Sequence, residues 1–364
     1  MKTIKNKKDR GWNYNMISIS QMNREGNKYQ KRKHMIITGL CNNNCRFCFS
    51  KENLKIGHLS VNKIKKILDQ GLSEGCEGLI ISGGEPTIHP EFIEVIYLAK
   101  KRGYKYIEVI TNGRMFSYPS FFKKVKDAGL DAITFSVHGH NAVLHDFITR
   151  VKGSYNQVIK AVKFASRLHI PIKINVVVNK KNINHLKDIA STFSELGVRV
   201  IGLLQLVPFG EAWNNRDRLF YDLSKYNKSI KEFLEESKKR GLSVWSNRFN
   251  VNTYSCYPEL AQDPDKFVNE VEARLYEFQE SSNKNKPLYC YPNRCDFCFL
   301  KNFCKTFFEI NDFVHNNKRG FKVNPIKFAD YYARNIVPLL IKGKKGDTNL
   351  IKHNIPKFIE AKQK

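Results

Sequence analysis

The sequence is short of acid. Its 364 residues hold 34 Asp and Glu against 62 Lys and Arg, a formal charge of +28. No apolar run approaches the ~18 residues that signal a membrane span. The opening residues, MKTIKNKKDRGWNYNM, are basic but carry no apolar stretch of the secretory kind. The expectation is a cytoplasmic protein with no membrane partner. Thiols stay reduced there, so clustered cysteines point to metal or catalysis rather than to disulfides. The basic residues never condense into the dense, aromatic-interleaved patch of a single-strand binder. Two readings of the charge stand. It favours polyanions such as nucleic acid or an acidic peptide, or it reflects a low-GC genome that enriches Lys and Asn at solvated positions.

What is present is an alternation of strand and helix. MIITGL (35–40) reads as a short buried strand. VNKIKKILDQGLSEG (61–75) places Val61, Ile64, Ile67, Leu68 and Leu72 at helical period. Strands follow at 78–82, 106–111, 131–137, 172–178 and 198–207, with helices at 91–103, 118–129, 154–168 and 182–197 between them. Such alternation predicts an α/β fold with a parallel sheet and helices on its outer side. Six strands are too few for a closed eight-stranded barrel. The expectation is therefore a partial (βα)6 barrel over 35–215, with functional groups at the C-terminal ends of the strands. Cys41, Gly83, Asn112, Ser136 and Pro208 all fall at such ends. Residues 1–34 read as a basic extension, 216–310 as a C-terminal extension and 311–364 as a basic, weakly patterned tail. Beyond 210 the pattern gives a helix near 224–240, an irregular stretch from 246 and a charged helix near 264–280.

The chemistry lies in the cysteines. CNNNCRFCFS (41–50) sets Cys41, Cys45 and Cys48 in a C-x3-C-x2-C run. Three thiolates on one loop hold three irons of a cubane cluster and leave the fourth open. An open position is where a ligand coordinates, as at catalytic zinc. A zinc site completed by a distant His or Cys is the alternative. Further along, ISGGEP (81–86) follows the second strand; Gly83 and Gly84 allow close backbone approach and Glu85 supplies charge. TNGR (111–114), SVHGH (136–140) and VPFG (207–210) end the third, fourth and sixth strands.

The C-x3-C-x2-C run followed by an aromatic, with these loops in this order, resembles the radical S-adenosylmethionine (SAM) enzymes. The resemblance covers 35 to 210. It implies a [4Fe–4S] cluster on Cys41, Cys45 and Cys48 whose open iron binds SAM. Reductive cleavage then gives a 5′-deoxyadenosyl radical that abstracts hydrogen from a substrate. It implies SAM contacts from Phe47, Gly83, Gly84, Glu85, Asn112, Ser136, Asn175 and Pro208. Arg150 suits the SAM carboxylate or a loop ion pair. His138, His140 and His145 read as structural rather than catalytic. Cys76 reads as a small core residue.

Cys290, Cys295, Cys298 and Cys304 form C-x4-C-x2-C-x5-C. Four thiols close a site, so this one would be structural or electron-carrying. The segment resembles part of a SPASM or twitch auxiliary domain and implies a second, auxiliary [4Fe–4S] cluster. The final C-x3-C element of a full SPASM domain is missing, Cys256 is left over, and zinc suits four thiolates equally. The implied partners are a reductant such as flavodoxin or ferredoxin and a peptide or small-molecule substrate. A tRNA-modifying enzyme and a non-enzymatic zinc-binding protein are the alternatives.

Overall fold

The structure, a computed structural model, describes residues 18–21, 30–51, 56–249, 257–262, 264–284, 292–317 and 323–338. One sheet organises them. Its strands are β1 (Ser18–Gln21), β2 (Gln30–Thr38), β3 (Gly78–Gly83), β4 (Tyr106–Thr111), β5 (Ala132–Ser136), β6 (Ile172–Val178), β7 (Val200–Gln205) and β8 (Ser243–Asn247). They lie side by side in chain order. β1 pairs antiparallel with β2, and every later pair is parallel. Among the described strands β1 and β8 are the two edges, so the barrel stays open.

Helices cross over between the strands: α1 (Val61–Ser73), α2 (Phe92–Lys101), α3 (Pro119–Asp127), α4 (Ala142–Thr149), α5 (Ser154–Arg167), α6 (Leu186–Glu195), α7 (Gly210–Asn214), α8 (Arg216–Leu219) and α9 (Asn227–Lys239). Each of the longer ones has one apolar stripe. In α5, Val158, Ala161, Val162 and Ala165 are buried at three- and four-residue spacing. The stripes pack on the outward strand residues, such as Leu79 and Ile81, Val109, Ile133 and Phe135, Ile174 and Leu203.

The inward face is polar, as strand alternation requires once the outward face is apolar. Glu108 is the hub of its lower layer. Its carboxylate takes Arg32 Nη1 at 3.1 Å and Lys173 Nζ at 2.9 Å, and accepts a hydrogen bond from Thr134 Oγ1 at 2.5 Å. Above it His34 Nε2 meets Ser82 Oγ at 2.5 Å. Burial pushes the His34 imidazole down to about 4, so it is neutral near pH 7.

Three sequence expectations are corrected. The parallel sheet has seven strands rather than six: β8 pairs with β7 through Gly202↔Trp245. SVWSN is a short run that becomes a strand only because β7 offers a free edge. The first strand starts at Gln30, well before 35, with β1 beside it. The weakly patterned tail is partly ordered. Helices α10 (Pro264–Glu272), α11 (Leu275–Lys284), α12 (Lys301–Asn317) and α13 (Pro325–Tyr331) follow the barrel. Phe267, Phe278, Phe303, Phe307 and Phe328 from these helices, with Tyr332 just past the last, form an aromatic core continuous with that of the barrel. α12 runs across the expected boundary at 310. No helix among the described residues is long and apolar enough to cross a membrane.

Candidate active site at the barrel mouth

The loop after β2 carries Cys41, Cys45 and Cys48, and its neighbours hold it from four sides. Gly84 and Glu85 donate backbone hydrogen bonds to Thr38 O and Leu40 O, both at 2.8 Å. Asn44 and Arg46 donate to Thr149 O and Ile148 O at the end of α4, at 3.1 and 2.9 Å. Glu211 N, opening α7, donates to Cys48 O at 2.9 Å. Arg114 Nη1 donates to Asn42 O.

The glycine pair exists for this packing. Gly83 sits at φ +147, and a Cβ there would lie 2.3 Å from Thr38 O. A Cβ on Gly84 would lie 2.1 Å from Leu40 O. No real side chain tolerates such contacts, so the turn after β3 can seat the cysteine loop only as glycine.

Two of the expected ligand contacts have protein partners of their own. Glu85 does not present its charge to the mouth. Its side chain is buried, and Oε1 accepts from Thr87 Oγ1 at 2.5 Å, Thr87 N at 3.2 Å and Thr111 Oγ1 at 2.6 Å. Oε2 accepts from Asn112 N at 2.7 Å. Glu85 is a clamp between the β3 and β4 loops. Burial still holds its carboxyl above the ordinary value, although these hydrogen bonds pull it down. Arg150, in the left-handed region at φ 56, pairs with Glu211 Oε2 at 2.6 Å and donates to Asn215 Oδ1 at 3.2 Å. It is the loop ion pair rather than a free guanidinium. Burial works to raise the Glu211 carboxyl, but the hydrogen bonds from Arg150 and Asn214 leave it below its usual range.

The remaining residues face the mouth or support it. Asn112 Nδ2 donates to Asn42 Oδ1 at 2.7 Å, tying the β4 loop to the cysteine loop. Ser136, at the end of β5, is the register partner of Asn175 in the middle of β6. Asn175 Oδ1 is buried with no hydrogen-bond partner, an acceptor waiting for a donor. The next members of that row are Gly202 and Trp245. Phe47 meets the His138 ring edge-on at 4.5 Å. Burial holds both His138 and its neighbour His145 well below the usual imidazole range. Pro208 O accepts from Arg294 Nη1 at 3.3 Å, a contact from the C-terminal cysteine segment. Cys76 is buried in the core.

Three thiols held this way suit an electron-rich metal cluster. Burial pushes the Cys41 thiol up to about 11, with the charges of Glu85 and Cys48 adding to it. Cys45 and Cys48 are pushed up for the same first reason, and Cys41 and Cys48 raise Cys45 further. Thiols that oppose one another's ionisation are stabilised as thiolates when a shared cation replaces their protons. Asn43 N donates to Cys41 Sγ at 3.3 Å, as a backbone amide does to a cluster thiolate. The donor set, three thiols after β2 and an orphan acceptor on β6, fits a cluster with one open iron beside a polar ligand.

The Radical SAM superfamily model matches residues 35–193. A probable GTP 3′,8-cyclase of Sulfurisphaera tokodaii is 31% identical over 220 residues, covering 60% of this chain and 67% of that protein. The chain belongs to the radical SAM superfamily. An AdoMet-dependent heme synthase of Methanosarcina barkeri is 25% identical over 60% of this radical SAM chain and 69% of its own length. Streptococcus suis SuiB, solved with its precursor peptide SuiA, shares the fold at TM-score 0.51 and 16% identity. That likeness covers 63% of this chain and 51% of SuiB, so the chain spans about half the length of that structure.

The C-terminal cysteine segment packs beside the mouth of this radical SAM barrel. Cys295, Cys298 and Cys304 are half-buried thiols spanning a short 3-10 turn and the start of α12. Cys290 and Cys256 lie outside the described residues. Phe297 sits edge-on to Trp213 and Phe220, at 5.7 and 5.0 Å. Between the two parts lies a cavity of about 780 Å³. Gln205 at the end of β7, Arg248 just past β8, Trp213, Tyr221, Phe249 and Cys298 are among its lining. None of the three N-terminal cysteines lines it. Its link to them is Arg248, whose guanidinium carbon lies 5.4 Å from the ring centroid of Phe49, next to Cys48.

The sequence reading missed Arg114, Asn42, Glu211 and Arg248. Arg114 stood in a quoted motif, and its charge at a strand end was the available signal. The partners of the other three are 61 or more positions away or close through β8, so no local pattern marks them.

Proposed function

We propose that this chain reductively cleaves SAM and uses the resulting radical on a substrate held in the cavity beside the C-terminal cysteine segment. The observation that carries the reading is the set of three thiols at the C-terminal end of the sheet, Cys41 exposed and Cys45 and Cys48 half-buried, with the orphaned Asn175 acceptor across the mouth. Cys41, Cys45 and Cys48 hold the [4Fe–4S] cluster. When bound, cluster and SAM supply a one-electron cleavage of SAM and hydrogen-atom abstraction by the 5′-deoxyadenosyl radical, the electron coming from a donor protein of the flavodoxin or ferredoxin kind. The chain's own residues set the geometry. Asn112 and Arg114 fix the cysteine loop, Asn175 and Ser136 offer polar atoms to the ribose, and Phe47, backed by neutral His138, gives the adenine an apolar wall. Asn175 Oδ1 gains the hydrogen bond it lacks.

The substrate is a small molecule or one residue of a peptide. A cavity of about 780 Å³ falls within the range of small-molecule sites. Its aromatic walls, interleaved with charged side chains such as Arg216, Asp217, Asp222 and Arg248, suit a polar organic substrate. Two relatives bear the names of a GTP cyclase and a heme synthase. Cys295, Cys298 and Cys304, with Cys290, hold an auxiliary [4Fe–4S] cluster, for which zinc is the competing occupant.

The test is metal content after anaerobic purification, with methionine and 5′-deoxyadenosine release under reductant. About eight irons per chain, falling to about four in Cys41→Ala/Cys45→Ala/Cys48→Ala, is the expected result. Four irons falling to none, with zinc retained, removes the auxiliary cluster and keeps the enzyme. Zinc without iron in the wild type overturns the whole reading.

A further inference from the structure

The two cysteine segments share a dipeptide, Cys48–Phe49 and Cys298–Phe299, and the structure links the two phenylalanines. Arg248 covers the Phe49 ring at 5.4 Å. Its Nη2 and Nε reach Glu270 Oε1 at 2.6 and 2.7 Å. Arg274 Nη1 holds the other oxygen, Oε2, at 3.2 Å. The Arg274 guanidinium carbon in turn lies 5.7 Å from the Phe299 ring centroid. Both cation–ring distances fall within the ~6 Å reach of that interaction.

This chain of contacts is largely shielded from solvent. The side chains of Arg248, Glu270 and Arg274 are 23%, 12% and 9% exposed. Arg248 sits in the left-handed region at φ 64, which a non-glycine residue keeps only when its surroundings impose it. Its backbone N–H is held by Gln262 Oε1 at 2.8 Å. The ion pairs Lys284–Glu280, Lys305–Glu309 and Arg334–Asp330 are more exposed and join residues four apart; Glu270 makes one such pair, with Arg274, and a second with the distant Arg248. Glu270 reaches out of its helix, and each end of the chain rests on the residue that follows a cysteine.

We infer that Glu270 is a positioning residue that couples the two cysteine sites. Through Arg248 and Arg274 it fixes Phe49 relative to Phe299, so the state of the Cys298 segment governs the order of the Cys48 loop. Coupling of this kind is reciprocal: filling either site steadies the other. The inference rests on the proposal that both segments bind metal, and it assigns Glu270 no contact with substrate or cluster.

A double-mutant cycle on the anaerobically loaded protein tests it. Wild type, Cys298→Ser, Glu270→Ala and the double variant are compared by deuterium uptake of residues 38–51. The SAM-induced change in the electron paramagnetic resonance spectrum of the reduced protein is the second readout. Cys298→Ser is expected to speed loop exchange about threefold, the size of one partly buried cation–π contact. In the Glu270→Ala background it is expected to add nothing. Arg274→Lys, which keeps the charge but loses the planar fork, is expected to abolish the coupling too, and it serves if Glu270→Ala does not fold. An equal effect of Cys298→Ser in both backgrounds, or in neither, overturns the inference. Wild type without iron overturns the proposed function instead, so the two failures are distinguishable.

Discussion

Replacing Glu85 by Gln separates a clamp from a ligand contact. Gln keeps one carbonyl oxygen, enough for the Thr87 and Thr111 hydroxyls. Its amide nitrogen then faces the Asn112 N–H that Oε2 now accepts at 2.7 Å, donor against donor. The lost hydrogen bond and the orphaned amide cost about 3 kcal/mol. Part of that is returned, because the buried carboxylate no longer has to be desolvated. A net loss of about 2 kcal/mol lowers Tm by about 4 °C in a chain of this size. The sign of the pH dependence is fixed too. The folded state raises the Glu85 carboxyl above its ordinary 4.5. Its stabilising contribution is therefore full below that value and is lost as pH rises through the folded pKa. The advantage of wild type over Glu85→Gln should thus be largest in acid and narrow towards neutrality. The assay is thermal melting of SAM-free protein across pH, with SAM affinity measured alongside. An unchanged Tm with weakened SAM binding refutes the clamp and returns Glu85 to the ligand.

Acid should destabilise the mouth through its neutral histidines. His34 and His145 lie near 4 in the fold against an ordinary 6.5, so their stability is full above 6.5 and drains as pH falls towards 4; His145→Gln should flatten the Tm–pH curve over that window, and an unchanged slope contradicts this. Gly84→Ala should fold yet lose the iron of the first cysteine run, because the new methyl meets Leu40 O; iron analysis against wild type decides it. Arg150→Ala should cost under about 1 kcal/mol, since its pair with Glu211 is partly solvated, and should leave SAM affinity within about twofold; a tenfold loss in calorimetric titration would mean that Arg150 reaches the ligand after all.

Much of this architecture was legible in the sequence because parallel strands buried by outer helices are written as apolar runs. GLIIS, YIEVIT and IKINVVV each announce themselves. The cysteine loop was legible because three thiols at that spacing have few uses. What escaped was nonlocal. SVWSN has too few residues to declare itself, and it is a strand by virtue of β7. The aromatics of α12 and α13 carry helical spacing, but Lys and Asn around them dilute it. The clamp made by Glu85 was illegible for a physical reason: a carboxylate beside a ligand loop and one clamping two loops have the same sequence. Only the hydroxyls of Thr87 and Thr111 and the amide of Asn112 distinguish them. Arg150 was undecided between two anions until Glu211, 61 positions away, came into contact.

Gly202 and Trp245 bear on the order in which the molecule assembles. A Cβ on Gly202 would lie 2.4 Å from the Trp245 indole, so the indole lies against bare backbone. On the indole, 3.6 Å from its centroid, rests Lys266 of α10. The C-terminal helices thus dock on a platform that exists only once β8 has paired with β7. This packing predicts that the helices bringing Cys298 to the mouth settle after the barrel, and that during synthesis the first cysteine run is framed by its strands before the second has a surface to land on.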